Sequence, residues 1–270
     1  MKKILAVFLL TLFVLSCEKD KSNRDLAIEN MYVPLISKVL IDGETFIEYS
    51  YNESNLLTEE KSRYHYTKHT YDNINRLVTS DFYMDIRLAS SNYSVLQDAM
   101  NRTEWVNPEN TARMILHLLK YNTLKNTVSV SLIRPDGSKD STEYLYEDGR
   151  IVKRTGYYNG SVSNYIDYYY DDKGNVLKET RYNVSLSGDA ELSTTTEYEY
   201  DNMNNPYRSF KRLLTPGIFT NPNNIIKETY TIYFDIDPSV DKVSVKRYSY
   251  EYNNAGYPVS VNGSTVYVYK

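Results

Sequence analysis

One seven-residue pattern recurs along this chain and constrains it more than any other feature. Tyr51-Asn52-Glu53-Ser54-Asn55-Leu56-Leu57 has a Tyr, then an Asn, an Asn at +4 and a Leu at +6. Tyr71-Asp72-Asn73-Ile74-Asn75-Arg76-Leu77 repeats it with Asp after the Tyr. Tyr170 to Val176, Tyr200 to Pro206 and Tyr252 to Pro258 are variants, and Tyr146 to Ile151 is one residue shorter in its turn. Asp or Asn after the Tyr can bond its own backbone and start a turn. Gly or Asn at +4 tolerates positive φ, which short hairpin loops require near their end. An aliphatic residue or Pro then opens the returning strand. Six copies predict six β-hairpins, with Gly149, Gly174 and Gly256 as turn residues.

The flanks agree. In Glu197-Tyr198-Glu199-Tyr200 and Arg247-Tyr248-Ser249-Tyr250-Glu251-Tyr252 the tyrosines share one face, as a period of two demands. Strand-like runs also cover 38–41, 44–51, 128–133, 142–146, 227–234 and 265–269, with Asp42-Gly43, Asp136-Gly137 and Asp148-Gly149 as turns. The expected fold is all-β, a large curved antiparallel sheet or half-barrel of consecutive Tyr-rich hairpins. Two segments interrupt the repeat. Residues 91–101 place Val95, Leu96, Ala99 and Met100 on one face of a short helix, with Ser94 and Gln97 in capping-box spacing. Residues 214–224 form a Pro- and Asn-rich loop. An Asn-Pro-x-Asn turn follows the first interruption at 107–110 and ends the second at 221–224.

The Tyr-Asp-x-x-Gly-Asn-Val form at 170–176 resembles the YD repeat of Rhs-type shell proteins. A likeness over nearly the whole mature chain is carried by the stretches from Glu104 to Asn110, from Thr194 to Asn202 and from Asn221 to Tyr230. These are similar to a family of gut-bacterial lipoproteins of unknown function with a porin-like, curved antiparallel sheet. That resemblance implies a fold and no activity, so it carries over no catalytic or binding residues.

Lys2 and Lys3 precede an apolar run from Ile4 to Leu15, interrupted only by Thr11. About a dozen residues suit a signal peptide and fall short of the roughly 20 that span a bilayer. Val14-Leu15-Ser16-Cys17 has the order of a lipobox, so residues 1–16 read as a signal and Cys17 as the acylated thiol. Residues 17–33 read as a charged tether and 34–270 as one repetitive domain. The expected partner is a membrane, through that lipid, at the outer membrane on its periplasmic or cell-surface side. Cys17 is the single cysteine, so no disulfide forms within one molecule.

Loss of the signal removes two of 31 basic residues and leaves 29 against 35 acids, a net charge of −6. With no basic stripe, nucleic-acid binding is not expected. A lipid-spanning barrel needs an outward apolar band. Here one face carries Glu197, Glu199, Arg247 and Glu251 and the other is Tyr-rich, which argues against a pore.

No metal site or cofactor is expected. His65 and His69 are four residues apart on a predicted strand, about 13 Å, too far for one ion. His117 lies in an apolar run, and the pairs Asp171/Asp172 and Asp235/Asp237 read as turn caps. No nucleophile elbow, P-loop or dinucleotide motif occurs. The chain therefore reads as a non-enzymatic binding protein for a glycan or a surface protein. The alternatives are a structural or assembly lipoprotein and, more remotely, a glycoside hydrolase, whose paired carboxylates are spaced in space and not in sequence. A ligand site is expected around Trp105, Asn107, Asn110, Asn221 and Asn224. Trp105 is the one tryptophan beside 29 tyrosines, and its large face suits stacking on a sugar.

Overall fold

The computed structural model describes residues 34–100, 105–210, 216–234 and 238–270. Cys17, the signal and the tether lie outside the described residues, as do Asn101, Leu214 and the Asp235/Asp237 pair.

The described residues form a 17-stranded antiparallel sheet. In chain order the strands are β1 (Ile36–Ile41), β2 (Glu44–Tyr51), β3 (Leu57–Ser62), β4 (His65–Tyr71), β5 (Leu77–Asp85) and β6 (Thr111–Asn122). Next come β7 (Thr127–Ile133), β8 (Lys139–Glu147), β9 (Arg150–Tyr158), β10 (Ser161–Tyr170), β11 (Val176–Val184) and β12 (Ala190–Tyr200). The last are β13 (Ile225–Ile232), β14 (Lys242–Arg247), β15 (Tyr250–Tyr252), β16 (Pro258–Val261) and β17 (Thr265–Tyr269). Sequence neighbours pair along the sheet and β1 also pairs with β17, but no ladder joins β14 to β15. The chain changes partners there. Tyr248 N still donates to Ile226 O beside β13, whereas Ser249 O already accepts from Asn262 N beside β16. The sheet is not closed.

Three local rules turn the repeat into this sheet. First, the Asx side chain after each Tyr caps its turn: Asn52, Asp72 and Asn253 each accept two backbone N–H bonds, from residues two and four further on. Gly174 and Gly256, at φ +95° and +75°, take the left-handed position that Asn55 and Asn75 fill elsewhere. Gly149 stands at φ +75° in the shorter turn.

Second, the strand that follows each of the six repeat units begins with a bulge. Tyr51 faces Leu57 while Ser50 faces Glu59, which leaves Thr58 unpaired. The same step leaves out Val78, Val152, Leu177, Ile226 and Val259. A bulge flips the in–out parity of everything after it.

Third, the tyrosine that closes an outgoing strand donates to the carbonyl at the start of a neighbouring one. Tyr71 reaches Leu57 O (2.7 Å), Tyr121 Leu77 O (2.8 Å), Tyr170 Ile151 O (2.6 Å), Tyr200 Val176 O (2.5 Å) and Tyr269 Pro258 O (2.6 Å). A buried phenol needs such a partner.

The core is spread along the inner face in three clusters, around Ile36/Val39/Ile47, Leu77/Leu119/Val128 and Ile151/Ile166/Val176, each flanked by tyrosine rings. The outer face carries cross-strand ion pairs such as Lys38–Glu48 (2.8 Å), Lys153–Asp167 (3.3 Å) and Lys227–Glu199 (2.6 Å).

Two expectations change. The unit at Tyr200 is not a hairpin. Asn204 does not adopt positive φ, and the chain runs on to 224 before β13. The helix α1 (Tyr93–Met100) forms, but Asn92 rather than Ser94 caps it, accepting the Ser94 N–H at 3.0 Å.

Candidate ligand cavity

Antiparallel pairing sends successive turns to alternate rims of the sheet. The repeat turns 52–56, 72–76, 171–175 and 253–257 share one rim, and the insertion 201–224 leaves from it. The segment 86–110 belongs to the other rim, with the turns 63–64, 185–189 and 262–264.

Asp201 anchors the insertion. Its carboxylate accepts from Met203 N (2.9 Å), from Asn224 N and Nδ2 (both 3.1 Å) and from the Tyr252 hydroxyl. Asp201 N donates to Asn224 O, so Asn224 fills the place that Leu56 or Arg76 takes in an ordinary unit. Asn221, fully buried, accepts from Val176 N (2.9 Å) and donates to the Tyr200 hydroxyl (2.9 Å). Asn223 and Asn175 exchange bonds at 3.0 and 3.1 Å.

Between these anchors the insertion sends aromatic rings into the sheet. Phe210, 1% exposed, packs on Tyr49 (5.0 Å between ring centroids), Tyr207 (5.5 Å) and Phe219 (5.7 Å). Tyr207 also meets Tyr267 edge-on at 6.0 Å. Rings from one loop thus bind β2 and β17, which the open seam separates from β13.

A cavity of about 370 Å³ remains between the insertion and the inner wall. The insertion supplies Asn205 to Tyr207, Pro216 to Ile218 and Asn223 to Ile225; the wall supplies Glu179, Tyr198, Glu228, Tyr248, Tyr250, Val261 and Tyr267. Glu179 and Glu228 point inward from β11 and β13 on either side of Tyr198 of β12. Glu179 pairs with Thr196 and Glu228 with Tyr198, so two strand spacings and a two-residue offset put their backbones about 12 Å apart. Burial raises the Glu179 carboxyl above the usual range; the Tyr198 hydroxyl and Arg181 oppose the rise, and Glu228 adds to it. Tyr198 donates to Glu179 Oε1 at 3.0 Å. Gly217 stands at φ +90°, a conformation that favours glycine, and a Cβ there would be in ordinary contact with Glu179 Oε1 at 3.6 Å. A second cavity of about 140 Å³, lined by Arg181, Thr194, Thr196 and Tyr230, lies on the other side of Glu179.

The residues singled out from sequence are not brought together. Trp105, Asn107 and Asn110 sit on the rim opposite the insertion, with Trp105 half-buried and the two asparagines exposed. Asn107 Oδ1 caps its own turn at Glu109 N. Asn221 and Asn224 are buried and hold the insertion, and Asn224 alone of the five lines the cavity. Glu179 and Glu228 were missed. Each occurs in a Lys-Glu-Thr run, and counting in twos from Val176 sends Glu179 outward unless the Leu177 bulge is known.

The histidines lie in strands with protein partners. His65 Nδ1 meets Ser62 Oγ at 2.8 Å, His69 Nε2 meets Glu60 at 3.1 Å and His117 Nδ1 meets Ser80 O at 3.2 Å. No group of three or more metal-ligating side chains occurs among the described residues.

No family model and no curated protein matches the chain. Among solved structures it is similar to a porin-like protein from Bacteroides uniformis, at 10% identity and a TM-score of 0.41, covering 87% of this chain and 96% of that one. A porin-like protein from Bacteroides vulgatus is similar at 11% and 0.38, covering 88% and 99%. A DUF3836 family protein from Parabacteroides distasonis is similar at 12% and 0.28, covering 39% and 87%. Likenesses this distant carry no argument about function, which rests on the residues themselves.

Proposed function

We propose that this chain is an extracytoplasmic lipoprotein, held at the outer membrane by lipid on Cys17, that works as a non-enzymatic binding protein. Its ligand site is the cavity beneath the insertion. One observation carries this reading: the only unit that abandons the hairpin walls off a cavity into which two carboxylates project. Charge turned into a protein interior is costly without a purpose. The lipobox supports the anchor, and Cys17→Ala is expected to abolish acylation and release the protein from membranes. A mutant that still takes up labelled acyl chains and fractionates with membranes would refute the anchor. For the cavity, the measurement is a thermal-shift screen with metabolites and glycans. Stabilising hits are expected to vanish in Gly217→Leu, which crowds Glu179; hits that persist would place binding elsewhere.

Two observations favour other readings. Glu179 and Glu228 bring two carboxyls into one cavity, the pair of groups that glycoside hydrolysis uses. Tyr198 stands between the two acids and occupies an oxygen of Glu179, which favours binding; turnover of aryl glycosides that is lost in Glu179→Gln would reverse that preference. Trp105, with exposed Asn107 and Asn110, is a separate proposal for a glycan contact, read by a change in its fluorescence on glycan addition.

A further inference from the structure

The cavity has an excess of acceptors over donors, and that imbalance says what it takes. Tyr198 spends its hydroxyl on Glu179 and Tyr250 on Ile225 O. Asn205 Nδ2 donates to both Ile218 O and Asn221 O, Asn223 Nδ2 to Met203 O and Asn224 Nδ2 to Asp201. Gly217 N donates to Thr220 Oγ1, and Pro206 and Pro216 have no N–H to offer. Tyr248 hydrogen-bonds Glu228, and the rest of the described lining is the two carboxylates, the tyrosine rings and the hydroxyls of Tyr207 and Tyr267. No Lys or Arg is among the described residues that line it. Lys246 stands 3.6 Å from Glu228 and is mostly exposed, and Arg181 lines the smaller cavity.

A sugar hydroxyl both gives and accepts, so a wall with far more acceptors than donors would leave part of its capacity unmet. An ammonium group only donates. It is drawn to carboxylates and to the faces of aromatic rings. Resting on the reading of this cavity as the ligand site, we propose that it takes a small organic amine. The cation lies between Glu179 and Glu228, and its methylenes or methyl groups lie on Tyr198 and Tyr250. A volume of about 370 Å³ suits a short diamine or a choline-sized molecule.

The test is calorimetry on the mature chain with putrescine, spermidine and choline, beside glucose and acetate. Glu179→Gln and Glu228→Gln remove charge while keeping an acceptor for Tyr198 or Tyr248, and their folding is checked by circular dichroism. At least one amine is expected to bind, with affinity falling tenfold or more in each variant, while glucose and acetate stay silent. Amine binding that is equal in all three proteins would overturn the proposal. So would glucose binding that is lost in the variants while the amines are silent, although that outcome keeps the cavity as a site. If every probe is silent, the amine class is wrong. The cavity reading then stands or falls separately, on whether the wider screen yields hits sensitive to Gly217→Leu.

Discussion

The two places where the repeat breaks have opposite fates. The described parts of the insertion, 201–210 and 216–224, turn inward. Phe210, Asn205, Asn221 and Asn224 are buried there, Asn221 bonds to β11 and β12, and Asp201 accepts from the Tyr252 hydroxyl. At the other break residues 86–100 stay at the surface, and beyond them Val106 is buried while Asn107, Glu109 and Asn110 are exposed. Tyr93 of α1 is 75% exposed, Ile86 is also exposed, and the helix packs chiefly on the short 3-10 turn Ile86–Ala89. Both carry the same Asn-Pro-x-Asn chemistry. Local turn residues therefore say where a chain leaves the ladder and not whether it comes back inside. That is decided by what the departing residues find to pack against, and the insertion leaves beside an open seam lined with tyrosine rings.

Alkali should separate the two regions most strongly. Burial pushes the hydroxyls of Tyr198, Tyr200 and Tyr207 well above 10. A group whose pKa is raised in the native state contributes stability that is whole below the unfolded value. That stability is lost as pH climbs from there toward the native value, at about 1.4 kcal/mol per unit of displacement. Cooperative unfolding is expected to begin just above pH 10. Tyr207→Phe should move the midpoint upward and Tyr93→Phe should not; equal shifts would erase the contrast.

Urea melts give the next largest difference. Phe210→Ala empties a buried aromatic site and should cost about 3–5 kcal/mol. Tyr93→Ala should stay within about 0.5 kcal/mol. A smaller effect separates the two Asn-Pro turns. Asn221→Ala strands the buried Val176 N–H and removes a donor from the Tyr200 hydroxyl, which keeps its bond to Val176 O, for about 2 kcal/mol. Asn107→Ala loses an exposed turn bond and should cost about 0.5 kcal/mol. If the two were equal, the insertion would be no better anchored than the surface segment.

The repeat alone determined the antiparallel all-β architecture, the hairpin turns and the left-handed residues at Asn55, Asn75, Gly174 and Gly256. Those features depend on contacts within seven residues, and local chemistry writes them directly. The tyrosine excess foretold half-buried strands but not the bonds from Tyr71 to Leu57 or from Tyr200 to Val176, which cross between hairpins. Seven strands, β6 to β12, separate Asn110 from Asn221, and an odd number sends the two Asn-Pro turns to opposite rims. The tertiary structure decided the rest. A bulge at the start of the strand after each repeat unit reverses parity and turns Glu179 inward, and its cause is the pairing of two strands rather than either sequence. The long insertion after Tyr200 comes inward because rings on β2 and β17, far away in sequence, are there to receive Phe210 and Tyr207.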